Sequence, residues 1–137
     1  MKKFLLPIIL FASLVSCKVQ FMPTYNQSMI DQITAAKFTV DSVYDVIINA
    51  DDKGFANYQT GYQLSEVYIN GIVTSEAARP KAKILADQAQ RIKNVFENAY
   101  NFHAKNIIIS SQTAFGFKTQ IDATFEALMV SETNLNK

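Results

Sequence analysis

Met29, Ile33, Ala36, Val40, Val43, Ile47 and Ala50 recur at alternating steps of four and three. Only an α-helix brings residues at that spacing to one face, because its turn is 3.6 residues. The β-branched run "FTVDSVYDVII" carries a competing strand signal. Alternation of period two fails, however, since it would set Thr39, Asp41 and Val43 on one face. Three further segments show the helical spacing. Phe55, Tyr58, Tyr62, Ser65, Ile69 and Ile72 form the second stripe. Leu85, Ala89, Ile92, Val95, Phe96, Ala99 and Phe102 form the third. Ile107, Ala114, Phe117, Ile121, Thr124, Phe125 and Leu128 form the fourth.

The segments read as helices over residues 25–50, 53–77, 80–105 and 108–133. Short connections make neighbours run in opposite directions, so the expected fold is all-α, an antiparallel up-down-up-down four-helix bundle. Thr24 and Gln27 have capping-box spacing, and Asp51 and Asp52 stand where they can cap the second helix. Asn70-Gly71 is a turn signal, but Ile72 and Val73 continue the apolar face and favour one unbroken helix. Gly61 and Gly71 are expected to permit close helix approach or local bending. Pro80 fits the first turn of the third helix. Lys105-Asn106 marks a turn, and "NIIIS" can form a short extended piece before the fourth helix. Lys81, Lys83, Arg91 and Lys93 read as a solvated face.

Ahead of these segments lies a different pattern. Lys2 and Lys3 precede the apolar run "FLLPIILFASLV", and small Ser16 stands before Cys17, the only cysteine. This is the layout of an export signal. Twelve apolar residues make about 18 Å of helix, against a hydrocarbon core of about 30 Å, so a spanning anchor is not expected. Leu14-Val15-Ser16-Cys17 resembles the lipobox of bacterial lipoproteins; the likeness covers the first 17 residues. The resemblance implies cleavage before Cys17 and lipid on its sulfur, so the membrane becomes a partner through Cys17. Lys18 in place of Asp implies release from the inner membrane, which points to the periplasmic face of the outer membrane. The organisation then reads as a signal peptide (1–16), a lipidated tether (17–24) and a helical bundle domain (25–137).

Removing residues 1–16 takes away Lys2 and Lys3, leaving 11 basic against 12 acidic residues, a formal net charge of −1. No Lys/Arg block remains, so nucleic acid is not an expected partner. The residues needed for catalysis are also missing. Cys17 is taken by lipid, His103 is the only histidine, and no Gly-x-Ser-x-Gly turn is present. No Glu-x-x-His pair, phosphate loop or Cys-x-x-Cys-His motif occurs. The expectation is a non-enzymatic protein with no cofactor and no metal. Haem held by His and Met is disfavoured by the topology. It sets His103 at the distal end and Met22, Met29 and Met129 at the tethered end, about 30 Å away by helix rise.

One bias remains. Of 10 Phe and 6 Tyr, Phe4 and Phe11 leave with the signal peptide. Nine of the remaining fourteen fall in the distal half by this topology, beside His103. They read either as core or as a binding site built from His103, Tyr44, Tyr58, Tyr62 and Tyr100, since tyrosine joins apolar area to a hydroxyl that seeks a partner. The leading expectation is a lipid-anchored helical bundle that binds or scaffolds an envelope protein. The alternatives are a small-ligand binder with a distal aromatic pocket, and an immunity or inhibitor lipoprotein.

Overall fold

The computed structural model describes residues 22–136. The expected export signal and the expected lipidation position, Cys17, lie outside the described residues. Four α-helices follow one another: α1 Gln27–Asn49, α2 Gln59–Ala78, α3 Lys83–Asn106 and α4 Ser111–Asn134. A single 3-10 turn, Phe55–Asn57, precedes α2. Each helix packs against its sequence neighbours, and α1 also packs against α4. The result is an antiparallel four-helix bundle.

The core follows the stripes, with shifts in register. In α1 the fully buried residue after Val40 is Tyr44, and Val43 is only half-buried. A step of four followed by three carries the stripe from Val40 through Tyr44 to Ile47. Val43 turns instead toward α2, where a Cβ added to Gly61 would lie 2.7 Å from Val43 Cγ2. Gly61 therefore permits close approach of α1 and α2, as expected for a small residue in a helix contact. Gly71 does not serve this purpose, for nothing lies within 4 Å of a Cβ placed there. The helix runs unbroken through Asn70-Gly71. In α3, Phe102 is exposed and His103 is buried in its place. In the fourth segment Ile107 is exposed and precedes the helix.

The helix ends also depart from expectation. Asn26 rather than Thr24 caps α1, its side chain accepting from Ser28 N at 3.0 Å. The Thr24 carbonyl is held elsewhere, as described below. Asp52 does not cap α2. It closes a local turn, accepting from Gly54 N at 2.9 Å and from Asn57 Nδ2 at 2.8 Å. Pro80 lies in the turn before α3, which begins at Lys83. Ser110 caps α4 by accepting from Thr113 N at 3.0 Å. The "NIIIS" stretch is the extended piece anticipated, with Ile108 bridging Gly54.

The two seams of α1 differ in kind. Toward α4, Lys37 reaches Asp41 at 2.8 Å and Asp122 at 2.7 Å, while Lys118 reaches Asp45 at 2.7 Å. Toward α2, an uncharged groove of about 290 Å³ runs past Val43, Val46, Gly61 and Leu64. Among the described residues no helix is long and apolar enough to cross a membrane.

Candidate functional site

At the distal end, where α1 and α3 finish and α2 and α4 begin, the structure brings together the five residues singled out by sequence. Tyr62 is the centre. Its ring meets Tyr44 at 6.0 Å, Tyr100 at 5.4 Å and His103 at 5.8 Å, all edge-on, and stacks on Phe55 at 5.9 Å. Edge-to-face contacts set the positive rim of one ring against the negative face of another. Tyr58 lies beside His103, with ring centroids 6.1 Å apart. Tyr44, Tyr62 and His103 are fully buried, and Tyr100 is half-buried.

His103 has one defined proton arrangement. Its Nε2 lies 2.9 Å from the Lys53 carbonyl oxygen, which can only accept. Nε2 therefore carries the proton. Nδ1, 2.9 Å from Tyr62 Oη, must then accept the tyrosine O–H. The ring is neutral, and burial holds its pKa below the usual histidine value, opposed by the bond to the Lys53 carbonyl. Burial pushes the Tyr62 phenol up to about 12 and the Tyr44 phenol higher still. Tyr44 Oη is buried with no hydrogen-bond partner. His103 thus fastens α3 to the α1–α2 loop. A second fastening lies alongside, where Phe55 N donates to the Ile107 carbonyl at 2.7 Å. Ile107 adopts φ 65°, a conformation that costs a β-branched residue roughly 1–3 kcal/mol. It follows that Asn106 ends α3, and the left-handed position falls on isoleucine.

The outer shell of this end sets large apolar side chains among exposed polar ones such as Asp51, Asp52 and Lys105. Phe102, Ile107, Ile108 and Phe115 are exposed, and the Phe102 ring packs edge-on against Phe117 at 5.3 Å. Phe55 links Ile107 to the buried network, since its N donates to the Ile107 carbonyl and its ring stacks on Tyr62.

The proximal end holds a cluster that the stripe analysis passed over. Glu76 on α2 and Glu132 on α4 have side chains 0% exposed. Arg79 Nη1 donates to Glu76 Oε1 at 2.8 Å and Oε2 at 2.9 Å, and also to Glu132 Oε1. Nη2 donates to Glu132 Oε2 at 3.3 Å and to the Thr24 carbonyl at 2.7 Å. One guanidinium therefore joins α2, α4 and the chain arriving from the N-terminus. Two buried carboxylates share that single cation. Burial pushes the Glu76 carboxyl up to about 7, reinforced by Glu132 and opposed by Arg79. The signal for these residues was present, because Glu76 follows Ile72 by four and Glu132 follows Leu128 by four. Each acid continues an apolar stripe at a core position, where a carboxylate needs a buried partner.

Among the described residues no group of three or more His, Cys, Asp or Glu side chains converges as a metal centre would require. No family model, curated protein or solved structure matches this chain.

Proposed function

We propose that this protein is a lipid-anchored helical bundle that works by binding another component of a bacterial envelope, without catalysis. On this reading it is exported, carries lipid at Cys17 and stands on the periplasmic face of the outer membrane. The observation that carries the binding role is the distal shell of Phe102, Ile107, Ile108 and Phe115, four large apolar side chains exposed at one end. Exposed apolar clusters on a small domain mark interaction surfaces. The Tyr62–His103–Lys53 network, joined to Ile107 through Phe55, supports this role by holding the neighbouring chain in place, which lowers the entropy lost on binding. Anchoring adds a further advantage, since tethering raises the effective concentration toward other envelope proteins.

The burial of Tyr44, Tyr62 and His103 favours contact through the outer shell over a ligand seated among the tyrosines. The test is recovery of partners with the intact lipidated protein. Ile108→Asp should abolish recovery while leaving the melting temperature within about 2 °C, because Ile108 contributes little to the core. Cys17→Ala should block incorporation of labelled palmitate. If Ile108→Asp recovers partners as wild type does, the distal binding role is lost.

A further inference from the structure

The proximal end differs from an ordinary bundle terminus in which side chains it shows to solvent. Met22 is 56% exposed and Ile84 66% exposed, and both line a concavity of about 410 Å³ together with Leu85 and Leu135. Lys81 and Lys83 line the same concavity and are exposed. Lys81 sits at φ 64° in the α2–α3 turn and makes no ion pair among the described residues. Lys83 pairs only with Asp87, one turn along α3, where both side chains stand in solvent. The acids that would otherwise neutralise this end, Glu76 and Glu132, are withdrawn beneath Arg79. Lys81 and Lys83 flank an apolar opening; Glu76 and Glu132 face inward, and Asp87 stands in solvent beside Lys83.

The chain ahead of this surface limits what can cover it. The five residue steps from Cys17 to Met22 span at most about 18 Å. Pro23 is buried and the Thr24 carbonyl is held by Arg79, so the chain is fixed to the bundle from Pro23 onward. A lipid chain on Cys17 would bring the opening within one tether length of the headgroups.

We propose that the proximal end docks on an anionic bilayer surface, with Met22 and Ile84 entering the headgroup layer between Lys81 and Lys83. The proposal rests on the reading that Cys17 carries lipid. Apolar side chains gain by leaving water at the boundary between headgroups and acyl chains, and lysines gain by meeting lipid phosphates. Docking also sets the orientation of the bundle, since it stands α1 to α4 upright and turns the Ile107–Ile108 tip away from the membrane. A tether alone would leave the bundle free to lie on its side. Each lysine near such a surface is worth about a fivefold factor in binding.

The experiment uses the full-length protein in vesicles of phosphatidylethanolamine and phosphatidylglycerol. A reporter thiol is introduced by Ile84→Cys, or by Ile108→Cys as the distal control, and labelled with an environment-sensitive fluorophore. Quenching by bromine-labelled lipids is then measured. The label at position 84 should be quenched and the label at position 108 should not. Lys81→Glu with Lys83→Glu should reduce the quenching at least tenfold. Equal quenching at both positions, or none at position 84, overturns the docking. Labelled palmitate on Cys17 is scored separately. Palmitate present without quenching at position 84 removes the docking and keeps the tether. Quenching at position 84 that persists when Ile84→Cys is combined with Cys17→Ala removes the tether and keeps the docking.

Discussion

The two ends of the bundle bury polar side chains at equivalent depths and satisfy them in opposite ways. At the distal end, neutral His103 is held by a carbonyl and a phenol, and aromatic rings fill the space around it. At the proximal end, Glu76 and Glu132 are held by charge, with one guanidinium between two carboxylates. The first arrangement is uncharged, and its His103–Tyr62 pair is satisfied within the protein. The second carries an excess negative charge that a proton relieves. The difference shows that burial alone does not set how a site responds to its surroundings. The charge balance inside the site does.

The sharpest way to break this comparison is to remove the cation. Arg79→Met should cost about 3–5 kcal/mol, because two buried carboxylates lose their partner. The loss should be greater at pH 8 than at pH 5, where the acids can take up protons. Denaturant unfolding at the two pH values checks this. An equal loss at both would mean that the carboxylates are not what the arginine holds.

The pH dependence of the wild-type protein sharpens the contrast. Glu76 is raised in the folded state, so its contribution is fully present below the ordinary glutamate value and is lost as pH rises through about 7. His103 is lowered in the folded state, so its contribution is present above the ordinary histidine value and is lost as pH falls through the folded value. The two slopes therefore oppose each other between the ordinary glutamate and histidine values, and the Glu76 loss stands alone as pH rises through about 7. Glu76→Gln should remove that loss, on the order of 2 kcal/mol, and leave the His103 slope in place. Thermal melts of wild type and variant from pH 4 to pH 9 separate the two slopes.

Tyr62→Phe probes the uncharged end with less force. It leaves the ring in place and removes the O–H that His103 Nδ1 accepts, for a loss of roughly 1–2 kcal/mol. The imidazole nitrogen shifts in an NMR spectrum should move with it, since Nδ1 loses its donor.

The smallest effects contrast the two halves of α2. Gly61→Ala in the distal half forces a methyl against the stiff Val43 side chain, a strain partly offset by better helix propensity, for a net loss of about 1 kcal/mol. Gly71→Ala nearer the proximal end meets open space and should gain up to about 1 kcal/mol. Opposite signs for the same substitution would confirm where the helices touch.

Much of this architecture was legible from residue spacing, because a helix maps sequence onto one face through a fixed angle. The angle is forgiving over a turn, which is why Val43 and Tyr44 could exchange places in the stripe. Phe102 and His103 exchanged for the same reason, apolar character favouring the wrong neighbour by one position. The acids escaped notice because hydropathy ends a stripe at the first charge. Four-residue steps from Ile72 to Glu76 and from Leu128 to Glu132 carried the stripe onward regardless. Thr24, Asp52 and Pro80 were assigned to helix ends by their type, but several nearby residues can serve those positions and packing chose among them.

Four amphipathic segments with short connections were enough to specify the antiparallel bundle and its two ends, since helical periodicity is a local property of the chain. Which polar groups meet is not local. Tyr62 and His103 lie 41 residues apart, and Arg79 and Glu132 lie 53 apart. Only the docking of α2 against α3, and of the α2–α3 turn against α4, brings them within hydrogen-bond distance. The tertiary structure therefore decided the tautomer of His103, the raised pKa of Glu76 and the inward turn of Glu76 and Glu132 beneath Arg79. Each depends on distances of a few ångströms between helices, which no spacing along one helix encodes.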